Sequence, residues 1–271
     1  MKNRCILRKY FTKLAMIIVL AVVLPLVACV KESEAPTGNI TMTAKGSKVS
    51  FSVEGARDIT VNWGDGKQSN VDDATVELSG DFTFSHVFSG TTDRSIVITG
   101  NVTKLSCYEL TTLDVSRCAT LEWLYCAGSL FTSLDVSKNT ALTFLSLSYG
   151  SQLTSLDVSK NTALTTLTIG DSQIKNLDVS RNTSLKSLII SRSQLTTLDL
   201  SANTALTSLS VLQNQLTAAV LNELFKTLKD KHVTGGTKHI TIRGNPGFSD
   251  CNRSIAEEKG WFFQDRPSRF D

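Results

Sequence analysis

The chain has 271 residues, with 28 lysines and arginines against 25 aspartates and glutamates. Five of the basic residues lie in the first thirteen positions, so the part after Ala28 has 23 basic and 25 acidic residues, a net charge of −2. A basic surface for nucleic acid is therefore not expected. With three histidines, neither is a His-rich metal site. The composition also excludes a disordered chain, a collagen-like chain and a multi-span membrane protein.

The first segment has the pattern of an export signal. Residues 2–13 are basic, and an almost unbroken apolar run from Leu14 to Val30 follows them. A membrane-spanning helix needs about 20 apolar residues, so a run of this length is more typical of a signal peptide. It ends in Leu26-Val27-Ala28-Cys29, which resembles a lipobox, where a bacterial lipoprotein is cleaved and acylated. The resemblance implies a signal peptide over residues 1–28 and a lipid on Cys29; the alternative is an uncleaved anchor helix.

A lipidated tether is predicted over residues 29–38, which are mostly polar and contain Pro36 and Gly38. Several acyl chains on Cys29 would hold the protein firmly at a membrane. Val30, where inner-membrane lipoproteins have Asp, argues against retention in the inner membrane. Lys31-Glu32-Ser33-Glu34 resembles the short tag of lipoproteins that gut anaerobes export to their surface. We therefore expect an outer-membrane protein that faces the cell exterior.

Short runs of alternating apolar and polar residues dominate residues 39–101, and Gly, Asp and Asn separate them. This period-two patterning predicts a small β-sandwich. Val61-Asn62-Trp63-Gly64-Asp65-Gly66, followed by Phe84-Ser85-His86-Val87-Phe88, resembles the polycystic-kidney-disease (PKD) type of immunoglobulin-like domain. Members of that family are mostly spacers or binding modules. We interpret Asp65 and His86 as residues that fix turns; the alternative is a catalytic pair, although no nucleophile motif lies beside them.

The strongest pattern is a repeat over residues 102–216, in which a Leu-Asp-Val/Leu-Ser motif recurs at intervals of 21 or 22 residues. Each unit has one half of the form Leu-x-x-Leu-Asp-Val-Ser-x-Asn-Thr and another of the form Leu-x-x-Leu-x-Ile. The sequence resembles the leucine-rich repeat family, and in particular a variant found in lipoproteins of Gram-negative gut bacteria. The resemblance implies a solenoid of stacked coils. The aspartates of the motif are Asp114, Asp135, Asp157, Asp178 and Asp199.

Equivalent residues of such a repeat should form columns through the stack. Two leucine columns are expected in the interior, because one coil alone cannot bury its leucines. An asparagine column should turn inward and bond to main-chain groups at the bends. The columns are Leu113, Leu134, Leu156, Leu177 and Leu198; Leu124, Leu145, Leu167, Leu188 and Leu209; and Asn139, Asn161, Asn182 and Asn203.

The aspartate column places five like charges one strand apart, and these should repel one another. Neighbouring serine hydroxyls and a basic column three residues along should offset this repulsion. The basic column is Arg117, Lys138, Lys160 and Arg181. The alternative is a calcium ladder, but calcium prefers about six to eight oxygens and each coil supplies one carboxylate. We therefore predict no metal and no other cofactor.

Two cysteines, Cys107 and Cys126, fall at the interior position of the Leu-x-x-Leu-x-Leu pattern, where they should stack as small apolar residues. A disulfide between them is the alternative outside the cytosol. The sequence contains no Cys-x-x-Cys motif, so a structural zinc site is not predicted.

Residues 217–271 are predicted to cover the open end of the solenoid. An apolar helical face runs from Thr217 to Lys231, and a short helix is expected at Ser254–Lys259 between two strands. The segment resembles the terminal cap of the same repeat family, and its aromatic residues are interpreted as cap core. The predicted fold is thus mainly β with some α: a small immunoglobulin/PKD-like β-sandwich, a leucine-rich repeat solenoid and an α/β C-terminal cap.

Outward strand positions vary between the units, unlike the interior columns. Trp123, Tyr125 and Phe144 should share one face of the first two full coils, with Tyr149 just beyond the second strand. Exposed aromatic residues of this kind are typical of protein or sugar recognition, so these four are the predicted ligand-binding residues. The alternative is that they pack against the sandwich at the junction.

These features together indicate a lipid-anchored cell-surface protein that recognises or adheres to a protein or polysaccharide through the outer face of its solenoid. This functional hypothesis follows from the resemblance of fold. We expect the protein to be a monomer. We also expect it to carry out no covalent chemistry, because its three histidines lie near no nucleophile motif. The alternative is a structural scaffold subunit of an envelope complex.

Overall fold

A computed structural model of the chain describes residues 39–55, 58–149, 152–230 and 237–264. The predicted signal peptide, the lipidation site Cys29 and the predicted tether lie outside these ranges. Within them, no helix is both long enough and apolar enough to cross a membrane.

The chain is mainly β, with short strands that coincide with the apolar runs of the sequence. The first part contains β1 (Asn39–Ala44), β2 (Lys48–Gly55), β3 (Thr60–Asn62), β4 (Gln68–Asn70), a short 3-10 helix (Val71–Asp73), β5 (Thr75–Val76), β6 (Phe82–Val87), β7 (Arg94–Thr99), β8 (Val102–Tyr108) and β9 (Leu110–Asp114). The repeats supply β10 (Trp123–Ala127), β11 (Phe144–Ser148), β12 (Thr166–Gly170), β13 (Ser187–Ser191) and β14 (Ser208–Ser210). The last part contains α1 (Ala218–Thr227), β15 (Lys238–Thr241), α2 (Ser254–Glu257) and β16 (Trp261–Phe263).

The strands of the described ranges belong to two sheets. One is five-stranded, in the order β4-β3-β7-β1-β9, and the other is 11-stranded, in the order β16-β15-β14-β13-β12-β11-β10-β8-β2-β6-β5. The sheets pack together in the N-terminal module, β1 to β9, where antiparallel pairing prevails. Phe51 of β2 and Trp63, which follows β3, have ring centroids 5.6 Å apart and are each 1% exposed. An aromatic core therefore fills the space between the two layers.

Strand β8 belongs to both the N-terminal module and the solenoid. It pairs antiparallel with β2, where Cys107 is opposite Phe51, and parallel with β10, where Cys107 is opposite Cys126. The first strand of a parallel stack has unpaired N–H and C=O groups along its free edge. The module covers that edge and so caps the solenoid, a role that its patterning did not predict. The predicted domain boundary between the sandwich and the solenoid, at residues 101 and 102, stays a prediction.

The predicted leucine columns are confirmed. The parallel register aligns Leu124, Leu145, Leu167, Leu188 and Leu209 on successive strands, and none of them is more than 2% exposed. The column from Leu113 to Leu198 is also buried, at 5–8% exposed. Burial of one leucine side chain stabilises the fold by about 1.5–3 kcal/mol. From β10 to β14, the Leu-x-x-Leu-x-Ile half of each unit forms the strand, and the described residues of the other half form turns.

The predicted asparagine column is also confirmed, and it joins the coils. Its four members are at most 3% exposed, and each side-chain Nδ2 donates to two main-chain carbonyls of the preceding coil, at 2.7–3.0 Å. Asn161, for example, donates to Val136 at 2.9 Å and to Asn139 at 2.8 Å. Each of these carbonyls also accepts a backbone N–H within its own coil, so the column adds a second hydrogen bond that joins one coil to the next.

The aspartate column closes the turn that follows each leucine. Oδ1 of Asp114, Asp135, Asp157, Asp178 and Asp199 accepts the backbone N–H two residues further on, at 2.8–2.9 Å. These bonds and the adjacent serine hydroxyls lower the pKa of the first four carboxyl groups. The serine hydroxyl is the larger cause at Asp114, and the backbone bond is the larger cause at the other three. The expected attraction to the basic column contributes less.

Acid should destabilise the fold through this column. A carboxyl group whose pKa is lower in the folded state contributes stability above its ordinary pKa of about 4 and loses it as the pH falls through the folded value. The melting temperature should therefore change little near neutral pH and fall below about pH 4. Replacing Asp114, Asp135, Asp157 and Asp178 together by Asn keeps an oxygen for the turn and should reduce this acid slope. Thermal unfolding followed by circular dichroism from about pH 7 to about pH 2 measures this fall in melting temperature. An equal fall in the quadruple variant would contradict the role of the aspartate column.

The C-terminal cap continues the long sheet beyond the last repeat. β15 and β16 add two parallel strands after β14, and α1 buries Leu221, Leu224 and Phe225. Trp261 is 1% exposed, as expected of cap core, whereas Phe262 is 54% exposed.

Both helices of the cap are shorter than predicted. α1 ends at Thr227, not Lys231, because Leu228 has an extended backbone, and α2 ends at Glu257. Lysine side chains donate to carbonyls of the last turn of α1 and of the segment after it. Lys259 Nζ donates to the carbonyls of residues 226 and 228, at 2.6 and 2.8 Å, and Lys238 Nζ to those of residues 229 and 230, at 2.9 and 2.7 Å.

Candidate ligand-binding face

The long sheet has an outward face on which aromatic residues gather at one end. Side chains alternate between the two faces of a strand, so the neighbours of each buried leucine point outward. Trp123 and Tyr125 flank Leu124 on β10, and Phe144 precedes Leu145 on β11. On β12 to β14 the equivalent positions are Thr, Ser or Ile, so the aromatic residues mark the end of the solenoid beside the N-terminal module.

The strand register stacks these rings. Trp123 is directly opposite Phe144 in the parallel pairing, and their ring centroids are 4.6 Å apart with planes 13° from parallel. Tyr125 is 5.9 Å from Trp123, and Tyr108 of β8 is 5.8 Å from Tyr125. We call Tyr108, Trp123, Tyr125 and Phe144 the aromatic platform. Each ring is partly exposed, and Tyr108 is 51% exposed.

Tyr149 stands at the edge of the platform. It follows β11, has a positive φ of 61° and is 62% exposed. A left-handed residue recurs at this turn in successive coils, as Glu109, Gly128, Tyr149, Asp171, Arg192 and Gln213. The pKa of Tyr125 is raised by burial first, and then by the charges of Tyr108 and Tyr149, so the three hydroxyl groups lie within electrostatic reach. The structure thus brings the four predicted residues to one region.

Sequence reasoning missed Tyr108. The segment that forms β8 is a degenerate unit, so its register with the next coil was not assigned. The pairing places Tyr108 opposite Ala127, two positions beyond Tyr125, so Tyr108 lies on the same outward face as Trp123 and Tyr125. The N-terminal module continues the same sheet through β2 and β8, beside the aromatic platform. Within the described chain, the ring contacts of the platform are with one another.

A pocket of about 250 Å³ opens beside Trp123, where the solenoid meets the module. It is lined by Ser52, Glu54, Asp81, Lys104, Ser106 and Trp123, among others. Lys104 forms an ion pair with Glu54, which is the main cause that raises the pKa of Lys104; Asp81 and Glu122 add smaller effects. We call this space the Trp123 pocket.

A larger groove of about 1010 Å³ lies at the other end, between the last repeat and α1. Leu198, Val220, Leu224 and Leu228 are among its apolar residues. Its charged residues balance: Lys226, Lys229 and Lys259 against Asp199, Glu223 and Asp230. No pattern in the sequence predicts this groove.

The remaining candidate residues have partners within the fold. His86 Nε2 lies 2.8 Å from Asp65 Oδ2, and His86 stacks on Trp63 with centroids 4.8 Å apart. Asp65 Oδ1 also accepts the Lys67 N–H at 3.1 Å, so the pair ties the turn after Trp63 to β6. This contact with His86 is the main cause that lowers the pKa of Asp65.

The two interior cysteines are free thiols. Cys107 and Cys126 are buried, with Sγ atoms 3.0 Å apart, and burial raises the pKa of Cys126 well above its ordinary value. Across the described ranges, no group of three or more His, Cys, Asp or Glu is placed to hold a metal ion.

Comparison with known proteins finds similarity among solved structures only. No protein-family profile matches the sequence, and no curated protein does. Among 65 matching structure chains is the functional domain of InlJ from Listeria monocytogenes, which includes a cysteine ladder; identity is 30%, over 58% of this chain and 38% of that one, with a TM-score of 0.42. A leucine-rich repeat protein of Leptospira interrogans is 20% identical over 55% of this chain and 44% of that one, with a TM-score of 0.41.

The internalin InlF from Listeria monocytogenes is 19% identical, over 53% of this chain and 48% of that one, with a TM-score of 0.35. The chain thus spans less than half the length of each of these three structures. These neighbours are leucine-rich repeat proteins, and the present chain forms a solenoid.

Proposed function

We propose that this protein is a non-enzymatic recognition protein that binds a protein or glycan ligand through the aromatic platform. The observation that carries the proposal is the gathering of four partly exposed aromatic residues from three neighbouring strands on the outward face of one sheet. Tryptophan and tyrosine dominate the energetics of binding surfaces, because each buries a large area and loses few rotamers.

The setting of the platform supports this role. Its side chains stand on strands whose inward leucines are fully buried, so the backbone beneath them is rigid. The stacking of Trp123 on Phe144 orders both rings before any ligand arrives, which lowers the entropic cost of binding. We propose that the protein acts as a monomer and needs no cofactor.

We also propose that the protein is held on the outer membrane, facing the exterior, by a lipid on Cys29. The lipobox-like Leu26-Val27-Ala28-Cys29 supports the anchor, and the motifs around Trp63 and His86 support a PKD-like origin for the N-terminal module. The repeat motif supports kinship with the leucine-rich repeat lipoproteins of gut bacteria. Loss of the protein from the membrane fraction on Cys29→Ser tests the anchor, and a Cys29→Ser protein that stays membrane-bound would contradict it.

The binding proposal is tested with a double variant, Trp123→Ala/Phe144→Ala, on a glycan array and on a displayed peptide library. The matched control is Thr166→Ala/Ser187→Ala, at equivalent outward positions of β12 and β13. We expect binders selected by the unaltered protein to lose at least about tenfold in affinity for the double variant and to keep it for the control. Unchanged binding together with a lowered melting temperature would show that the rings only stabilise the fold.

A further inference from the structure

The Trp123 pocket lies on the module side of β10 and has an indole side chain in its wall. Phe144 stacks on Trp123 from β11, whereas the other residues that line the pocket come from β2, β8 and Asp81, on the opposite side of β10. Its volume of about 250 Å³ is below the roughly 300–1,000 Å³ of pockets that take whole small molecules. A single side chain of a larger partner fits this size better than an oligosaccharide.

The pocket also has an excess of negative charge. Its lining contains the carboxylates of Glu54 and Asp81 against the one ammonium group of Lys104, which pairs with Glu54. Asp81 Oδ2 accepts from the Ser79 hydroxyl at 2.8 Å. Asp81 Oδ1 is shielded from solvent and has no hydrogen-bond partner in the described part of the chain. Because this oxygen is shielded in the free protein, a donor in the pocket reaches it when the Asp81 side chain turns, and a cationic donor is the most favourable.

We propose that the Trp123 pocket binds an arginine side chain of a protein partner, with the guanidinium stacked on Trp123 and donating to Asp81. The inference rests on the proposed function and narrows its ligand to a protein. Arginine combines a permanent charge, a planar group that stacks on aromatic rings and five N–H donors. Lysine lacks the planar group, and a neutral sugar would leave the excess negative charge of the pocket unbalanced.

The test uses single-residue probes, so that it does not depend on knowing the partner. N-acetyl-arginine methylamide and its lysine and citrulline counterparts are titrated into the purified protein. The indole N–H resonance of Trp123, assigned by its loss in Trp123→Phe, is followed by NMR. Citrulline keeps the planar group without the charge, and lysine keeps the charge without the plane. We expect arginine to bind most tightly and its affinity to fall with salt.

Two acid variants complete the experiment. Asp81→Asn should weaken the arginine probe by about five- to tenfold, as expected when one charge-assisted hydrogen bond is lost. The exposed acid Asp93, elsewhere in the module, provides the matched control Asp93→Asn, which should bind like the unaltered protein. Matching circular dichroism melts show that both variants are folded.

The outcomes separate this inference from the proposed function. Equal shifts with all three probes, no shift with arginine, or no effect of Asp81→Asn would overturn arginine recognition. If glycans or arginine-free peptides then bind and lose affinity in Trp123→Ala/Phe144→Ala, the recognition role stands with another ligand group. If no glycan or peptide binds the folded protein either, both proposals fail.

Discussion

Asn161→Ala is expected to lower the free energy of unfolding by about 1–3 kcal/mol. The side chain is 0% exposed and donates to the carbonyls of Val136 and Asn139, at 2.9 and 2.8 Å. Alanine removes both hydrogen bonds, each worth about 0.5–1.5 kcal/mol, while the two carbonyls keep the backbone N–H groups of Asn139 and Leu142 as donors. Urea denaturation followed by circular dichroism measures the loss.

Two further variants show whether the donor itself is responsible. Asn161→Asp keeps the shape but replaces the amide by a carboxylate beside two carbonyl oxygens, so its loss should be at least as large. Asn176 is exposed, and Asn176→Ala should change stability by less than about 0.5 kcal/mol. If Asn161→Ala behaves like Asn176→Ala, the asparagine column does not hold the coils together.

Leu167→Ala is expected to cost about 2–5 kcal/mol. The side chain is 0% exposed and lies between Leu145 and Leu188 of the neighbouring coils. Its removal loses transfer free energy and leaves a cavity that the flanking coils can close only by moving closer, which their paired strands resist. The same urea denaturation measures the loss.

The control for this variant lies one residue away on the same strand. Thr166 points outward and is partly exposed, so Thr166→Ala should have a much smaller effect, within about 1 kcal/mol. Similar losses of unfolding free energy for the two variants would contradict the burial of Leu167 and the exposure of Thr166 on opposite faces of β12.

The interior could be predicted from the sequence because a repeat of about 21 residues allows one arrangement in which every unit buries the same leucines. Each column then follows from the spacing alone, as for Leu167 and Asn161. The aromatic cluster could also be predicted, since Trp123 and Phe144 occupy equivalent positions of adjacent units.

Other features depend on contacts that spacing does not encode. An alternating pattern tells which side of β8 is buried but not which strands pair with its two edges, so the shared sheet was missed. The Trp123 pocket combines residues that are distant in sequence, such as Ser52, Asp81 and Trp123. The left-handed turn positions carried no signal either, because Glu109, Tyr149 and Gln213 stand where glycine would be expected.

Hydrogen exchange of the β8 amides, read residue by residue by NMR, tests most directly whether one sheet joins the N-terminal module to the solenoid. Consecutive amides of a strand point to opposite neighbours. In a central strand all of them are therefore hydrogen-bonded and protected from exchange, whereas in an edge strand only every second one is. A shared sheet predicts slow exchange at both Leu105 and Ser106, because β8 has β2 on one side and β10 on the other. Fast exchange at alternate residues of β8 would show that the module and the solenoid do not share this strand.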